Sequence, residues 1–290
     1  LGKLEESDAA IDLSVYGQEK TRDTVKLAKM NLFVNGLRGE IRQANSYSED
    51  PFNSFESFDF IMANPPFNVD DVAITTVEED KRFNTYGLPR KKTKAKKSDG
   101  KAETVTNANY LWISLFATSL KNKAEAKARN TGRAALVMPN SASDARNAEE
   151  DIRKQIIEDN LIYGMLTLPS NMFYTVTLPA TLWFFDKNKA DDKILFIDAR
   201  NIFRQIDRAH RDFTDEQIQN IAMISKLHKG RRQDYVSLVD SYFKSGMQIL
   251  GETVSDVKPL ITQLKSVVDK GSELKATVDD LAKNWQALAP

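Results

Sequence analysis

The sequence has no cysteine and only two histidines, His210 and His228, among 290 residues. Disulfides, cysteine-ligated zinc and iron–sulfur centres are thereby excluded, and a histidine-rich metal site has too few ligands. Both histidines read as surface-helix residues. The chain also lacks a charge excess: 41 basic residues stand against 41 acidic ones. A protein that grips duplex DNA unaided carries a basic excess or stripe. If this chain works on DNA, a partner supplies much of the grip. No apolar run approaches the roughly 20 residues that span a bilayer, and no secretory signal is visible, so the reading is cytoplasmic, with no membrane partner. There is no internal repeat. The chain opens at Leu1 without a methionine, as a processed chain or an excised fragment would.

What is present is an alternation of elements. Residues 13–19 read as a strand and 21–35 as a helix, with Thr21 as N-cap, apolar positions at helical spacing and Gly36 where the C′ residue belongs. Residues 40–45 and 58–63 read as strands. Residues 68–108 have no sustained apolar period and contain a basic run from Arg90 to Lys101. They read as a long functional or unstructured loop, and the basic run as a solvated segment or a DNA contact. A helix over 110–123, a buried strand over 134–138, a helix over 147–159 and strands over 161–168, 180–185 and 194–197 follow. This order predicts an α/β fold, a mainly parallel sheet with helices on both faces, finished by antiparallel strands. From about 200 the chain is mostly helical, with a capping box from Thr214 to Gln217. Two apolar stripes, 260–268 and 274–288, are separated by Gly271. The domain division is 1–200 and 201–290.

The most informative stretch is Phe58 to Phe67, where a strand ends in Asn64-Pro65-Pro66-Phe67. Two prolines cannot continue a ladder, so the chain stops and turns. The Asn64 amide, the Pro65 carbonyl and the Phe67 ring are then presented at the carboxyl end of a strand, the edge where open α/β sheets bind ligands. An exocyclic amino group on a base is a poor nucleophile, because its lone pair is delocalised into the ring. Acceptors aimed at its two N–H bonds counter this, and the Asn64 oxygen and Pro65 carbonyl can serve. Phe67 offers a face on which a flipped base can stack. The bland alternative for the motif is a strand stop. Phe173 and Tyr174, after Pro169, read equally as base-pocket or core residues.

Asn64-Pro65-Pro66-Phe67 resembles the catalytic motif of amino-group methyltransferases that use S-adenosyl-L-methionine. Further stretches are similar to one family, the modification (methylation) subunit of type I restriction–modification systems. They are Tyr16-Gly17-Gln18-Glu19, Thr24, Leu27-Ala28-Lys29-Met30-Asn31-Leu32 and Gly36, then 132–140, 168–174 and 196–200. The resemblance runs from about 13 to 235. It implies a Rossmann-like methyltransferase fold and adenine-N6 methylation of double-stranded DNA. It also implies catalytic roles for Asn64, Pro65, Pro66 and Phe67, a cofactor-ribose contact for Glu19 and an adenine-moiety contact for Asn45. No metal is implied. The implied partners are a specificity subunit, a restriction (motor and nuclease) subunit and a second copy of the modification subunit, with the C-terminal helices joining those of the specificity subunit. The family's glycine-rich cofactor loop has no counterpart in this sequence. The expectation is therefore a C-terminal fragment whose sheet lacks its central strand and which binds the cofactor poorly by itself. Two rivals stand beside this reading: a methyltransferase for RNA or for a protein amide, and an inactive structural fragment that keeps partner-binding helices.

Overall fold

The computed structural model describes residues 13–90, 103–173 and 177–287, the side chains of Lys258 and Trp285 excepted. Strand β1 (Ser14–Glu19), helix α1 (Arg22–Val34) and strand β2 (Arg38–Gln43) form a unit whose strands pair in parallel, Ser14 opposite Arg38 and Glu19 opposite Gln43. Gly36 follows α1 at φ +64°, which glycine adopts without a Cβ clash. Thr21 has the extended backbone of an N-cap but makes no side-chain cap bond. Its N–H instead donates to Glu19 Oε1 at 2.8 Å. β2 starts before residue 40, because Arg38 and Gly39 already pair with β1.

Strand β3 (Phe60–Ala63) is shorter than the apolar run predicts, and Phe58 makes only an isolated bridge to Leu120. The connection after it corrects the sequence reading most. The described residues between 68 and 108 are folded rather than loop-like, and they contain α2 (Ile74–Val77) and α3 (Lys81–Asn84). Val72, Ile74, Val77, Phe83 and Val105 form an apolar cluster with Leu111 and Leu115 of α4 (Asn109–Ser119). Helices of one turn are too short to display a 3.6-residue period, which is why the pattern missed them. Arg90, at the head of the basic run, is ion-paired with Glu78 and Glu103 at 2.8 and 3.1 Å. The run from Lys91 to Lys101 lies outside the described residues.

Helix α4 is apolar nearly all round because both of its sides are covered. Leu111 and Leu115 serve that cluster, while Tyr110, Ile113 and Ala117 join a larger one with Leu136, Met138, Ile152, Ile156, Trp183 and Phe185. The helix ends at Ser119, since Leu120 is extended, and α5 (Lys123–Arg129) restarts with Asn122 Oδ1 capping the Glu125 N–H at 3.0 Å. Then come β4 (Arg133–Pro139), α6 (Asn140–Ser143), α7 (Ala148–Glu158), β5 (Ile162–Thr167), β6 (Ala180–Asp186) and β7 (Leu195–Asp198).

The main sheet has the order β3-β4-β6-β5-β7. β3 is parallel to β4 and β5 to β7, and β6 is antiparallel to both of its neighbours. The antiparallel strand is thus inside the sheet rather than at its finish. β1 and β2 form a separate two-stranded sheet. Among the described residues, β1 pairs only with β2 and β3 only with β4, so each keeps an unpaired edge. Phe60 and Met62 on β3 are exposed, Met62 by 84%.

A small ribbon of β8 (Arg204–Gln205) and β9 (Arg211–Asp212) follows, and His210 lies in its turn rather than on a helix. The capping box is formed: Thr214 N–H donates to Gln217 Oε1 at 3.0 Å and Gln217 N–H to Thr214 Oγ1 at 3.2 Å. Helices α8 (Asp215–His228) and α9 (Arg232–Ala287) follow. α9 is one helix of 56 residues that runs through both Pro259 and Gly271. Gly271 does not break it, since a single glycine costs a helix only about 1 kcal/mol. The chain divides into two compact units, one up to Gln217 and one from Ile218, so residues 201–217 belong with the first. Among the described residues, no helix is long and apolar enough to cross a membrane.

Candidate active site

The β3 ladder ends at Ala63, opposite Leu136 of β4, and the two prolines keep it from going further. At this carboxyl edge Asn64 and Pro66 are exposed, Pro65 is buried and Phe67 is half-buried. The Asn64 amide makes no hydrogen bond among the described residues, which leaves its oxygen available as an acceptor. The neighbouring strand β4 ends in Pro139, and Asn140 Oδ1 just beyond accepts from Thr181 Oγ1 at 2.7 Å. That bond ties the end of β4 to β6, beside the tip. Phe173 is half-buried, and Tyr174 lies outside the described residues.

The sequence reading overlooked what holds the tip from behind. Asn68, at φ +54°, is joined to Asn109 by a reciprocal pair of 2.9 Å hydrogen bonds. The available signal was Asn107-Ala108-Asn109 directly before an apolar helix, a polar cluster of the kind that caps helices. Asn107 Oδ1 does accept from the Asn109 N–H at 2.7 Å.

Glu19 and Asn45 are brought together elsewhere. Glu19 ends β1 and Asn45 follows β2, and the Ala44 N–H donates to the Glu19 carbonyl at 3.0 Å, tying the two strand ends. Glu19 Oε1 is engaged by the Thr21 N–H. Asn45 Oδ1 accepts from the Tyr47 N–H at 3.2 Å, and the Asn45 N–H donates to Glu49 Oε1 at 2.8 Å. The Asn45 oxygen therefore serves its own turn. Glu19 and Asn45 lie at the carboxyl edge of one sheet and Asn64–Phe67 at that of the other.

Charges near the sheet are largely paired. Asp59, just before β3, accepts from Lys121 Nζ at 2.8 and 2.9 Å, and this bond holds its carboxyl below the ordinary aspartate value. At the end of β7 the Arg200 guanidinium pulls Asp198 down to about 2. The four tip residues have no titrating side chain. Their chemistry is that of hydrogen-bond acceptance and ring stacking, with no general base among them.

Comparison with known proteins supplies the context for this geometry. The model of a family described as N-6 DNA Methylase matches residues 3–241. The chain is 33% identical to the type I restriction enzyme MjaIX methylase subunit of Methanocaldococcus jannaschii, over 97% of this chain and 52% of that protein. It is 34% identical to the type I restriction enzyme HindI methylase subunit of Haemophilus influenzae, over 77% of this chain and 45% of that protein. Among solved structures, the type I restriction-modification system methyltransferase subunit from Streptococcus thermophilus superposes with a TM-score of 0.60 at 26% identity, covering 73% of this chain and 42% of that one. The chain spans about half the length of the curated relatives it matches.

Proposed function

Because the chain belongs to the N-6 DNA Methylase family, we propose that it carries the target-base half of a DNA adenine-N6 methyltransferase of the type I restriction–modification class. The observation that carries this reading is the tip itself: an exposed, unengaged Asn64 amide followed by two prolines and a half-buried ring, at the carboxyl end of a strand. In this role the Asn64 oxygen and the Pro65 carbonyl accept from the amino group of a flipped adenine. Those bonds draw electron density back onto the nitrogen and aim its lone pair. Phe67 stacks on the base, an interaction worth about 1–3 kcal/mol. S-adenosyl-L-methionine, when bound, supplies an electrophilic methyl group. Glu19 fits that cofactor, because a carboxylate at a strand end accepts from ribose hydroxyls and Thr21 engages one of its oxygens. Asn45 offers a donor, where an aspartate would offer an acceptor.

The edges of β1 and β3 that are unpaired among the described residues support the reading that the cofactor half is completed by a strand lying between them. On this account the 290-residue chain binds S-adenosyl-L-methionine weakly, and micromolar affinity in a calorimetric titration would refute it. The apolar stripe of α9 from Leu260 to Leu281 is exposed, which suits pairing with helices of a specificity subunit. Truncation after residue 255 is then expected to abolish co-purification with that subunit, and retained co-purification would sink this part. A second copy of the modification subunit and a restriction subunit complete the proposed assembly.

The central test is methyl transfer to duplex DNA by the native complex containing this chain. Asn64→Ala is expected to lower the transfer rate by about two orders of magnitude or more, the scale of losing one preorganised transition-state contact, with duplex affinity retained. An unchanged rate would exclude the assigned role.

A further inference from the structure

Asn68 directly follows the tip. It is exposed and its backbone is left-handed, at φ +54°. Its N–H donates to Asn109 Oδ1 at 2.9 Å, and Asn109 Nδ2 donates to Asn68 Oδ1, also at 2.9 Å. One residue further, the Ala108 N–H donates to the Val69 carbonyl at 2.7 Å. Asn109 is the first residue of α4 and is only 1% exposed. Its own N–H is held by Asn107 Oδ1. The far side of this clamp is therefore a buried helix that both apolar clusters fix in place. The near side is one peptide from the Phe67 ring.

The chemistry of the clamp is demanding. Asn109, itself almost wholly buried, must accept from a backbone N–H and donate to a side-chain oxygen at once. A primary amide does both. A carboxylate has no proton to donate and would set two oxygens against each other. At Asn68 the requirement is looser, since an aspartate also accepts and also tolerates the left-handed region.

We propose that Asn109 and Asn68 are positioning residues for methyl transfer. Their amide pair sets the angle at which the Phe67 ring and the Pro65 carbonyl meet the target amino group. This rests on the reading of the tip as the holder of a flipped adenine. Neither residue touches the base, and both act through the loop between them.

The test is single-turnover methyl transfer by the native complex, per active site, with the duplex Kd measured in parallel. Asn109→Asp is expected to slow transfer by about 10- to 100-fold, the range that small misplacement of a reacting group produces, at unchanged Kd. Asn68→Asp, which keeps the acceptor, stays within about twofold of wild type, and Asn68→Gly, which keeps the backbone conformation but loses the acceptor, falls between. A loss of folded protein alone would lower yield but leave the rate per active site unchanged. The proposal is overturned if Asn109→Asp transfers at the wild-type rate, if the two aspartate variants are equally slow, or if the loss lies in Kd. Should Asn109→Asp fail to fold, Asn68→Gly decides: slowed transfer at unchanged Kd supports the clamp, and a wild-type rate overturns it. A wild-type complex without any transfer overturns the reading of the tip and this proposal with it. Transfer by wild type with unaltered variants overturns this proposal alone.

Discussion

Tyr110 shows how tightly single side chains are held behind the tip. Its hydroxyl donates to the Ala142 carbonyl at 2.7 Å and accepts from Arg153 Nη1 at 3.0 Å. Burial pushes the phenol up to about 12, against the opposing pull of Arg153. Tyr110→Phe takes this donor from the Ala142 carbonyl, while Arg153 Nη1 keeps its bond to the Ala145 carbonyl at 2.9 Å, and is expected to lower stability by about 1–3 kcal/mol, read as a lower urea midpoint at constant slope. Asp59 gives a pH signature. Its bond to Lys121 depresses the carboxyl pKa in the folded state. The stabilisation is therefore full above the unfolded value of about 3.9 and is lost as pH falls through the folded value. Asp59→Asn should be less stable than wild type at pH 6, and the gap between their melting temperatures should close on acidification below about pH 4. A gap that does not narrow as pH falls below about 4 would contradict the assignment. At this scale the tip was legible, because prolines act locally on their own strand. The Asn68–Asn109 pair was not, because its partners are 41 residues apart.

The elements divide in the same way. Strands with a continuous apolar run, such as β4, and the helix α1 with its Gly36 terminus could be read directly. α2 and α3 could not, since each is one turn long and is held by tertiary contacts with α4 rather than by its own pattern. The close pairing of β1, β2 and α1 depends on a residue with no side chain. A Cβ on Gly39 would collide with the Val15 carbonyl oxygen and lie 2.9 Å from Leu32 Cδ1. The backbone of β1 cannot yield as a flexible side chain would. Gly39→Ala is expected to cost about 1–3 kcal/mol through overpacking, seen as a lower thermal midpoint. Gly17→Ala should cost less, because its obstacle is the movable Cδ1 of Ile41.

For the molecule as a whole, the balanced charge bears on what the chain does alone. With 41 charges of each sign, the isolated chain should bind duplex DNA weakly. Its salt dependence should correspond to about two or three phosphates, and a steeper slope measured between 50 and 200 mM salt would show a stronger intrinsic grip. The second unit was legible as helical but not as continuous, because Gly271 reads as an interruption where a long helix tolerates it. Pro259 has no N–H for the helix and stands at the middle of the 56-residue α9. At 1.5 Å per residue the helix is about 84 Å long, so each half is a rod of about 42 Å. Prolines are where helices bend by more than about 20°, and a bend of that size would swing the tip of one half through about 14 Å. At a distance of half the helix, even a small angle set at Pro259 would thus become a displacement wider than a helix.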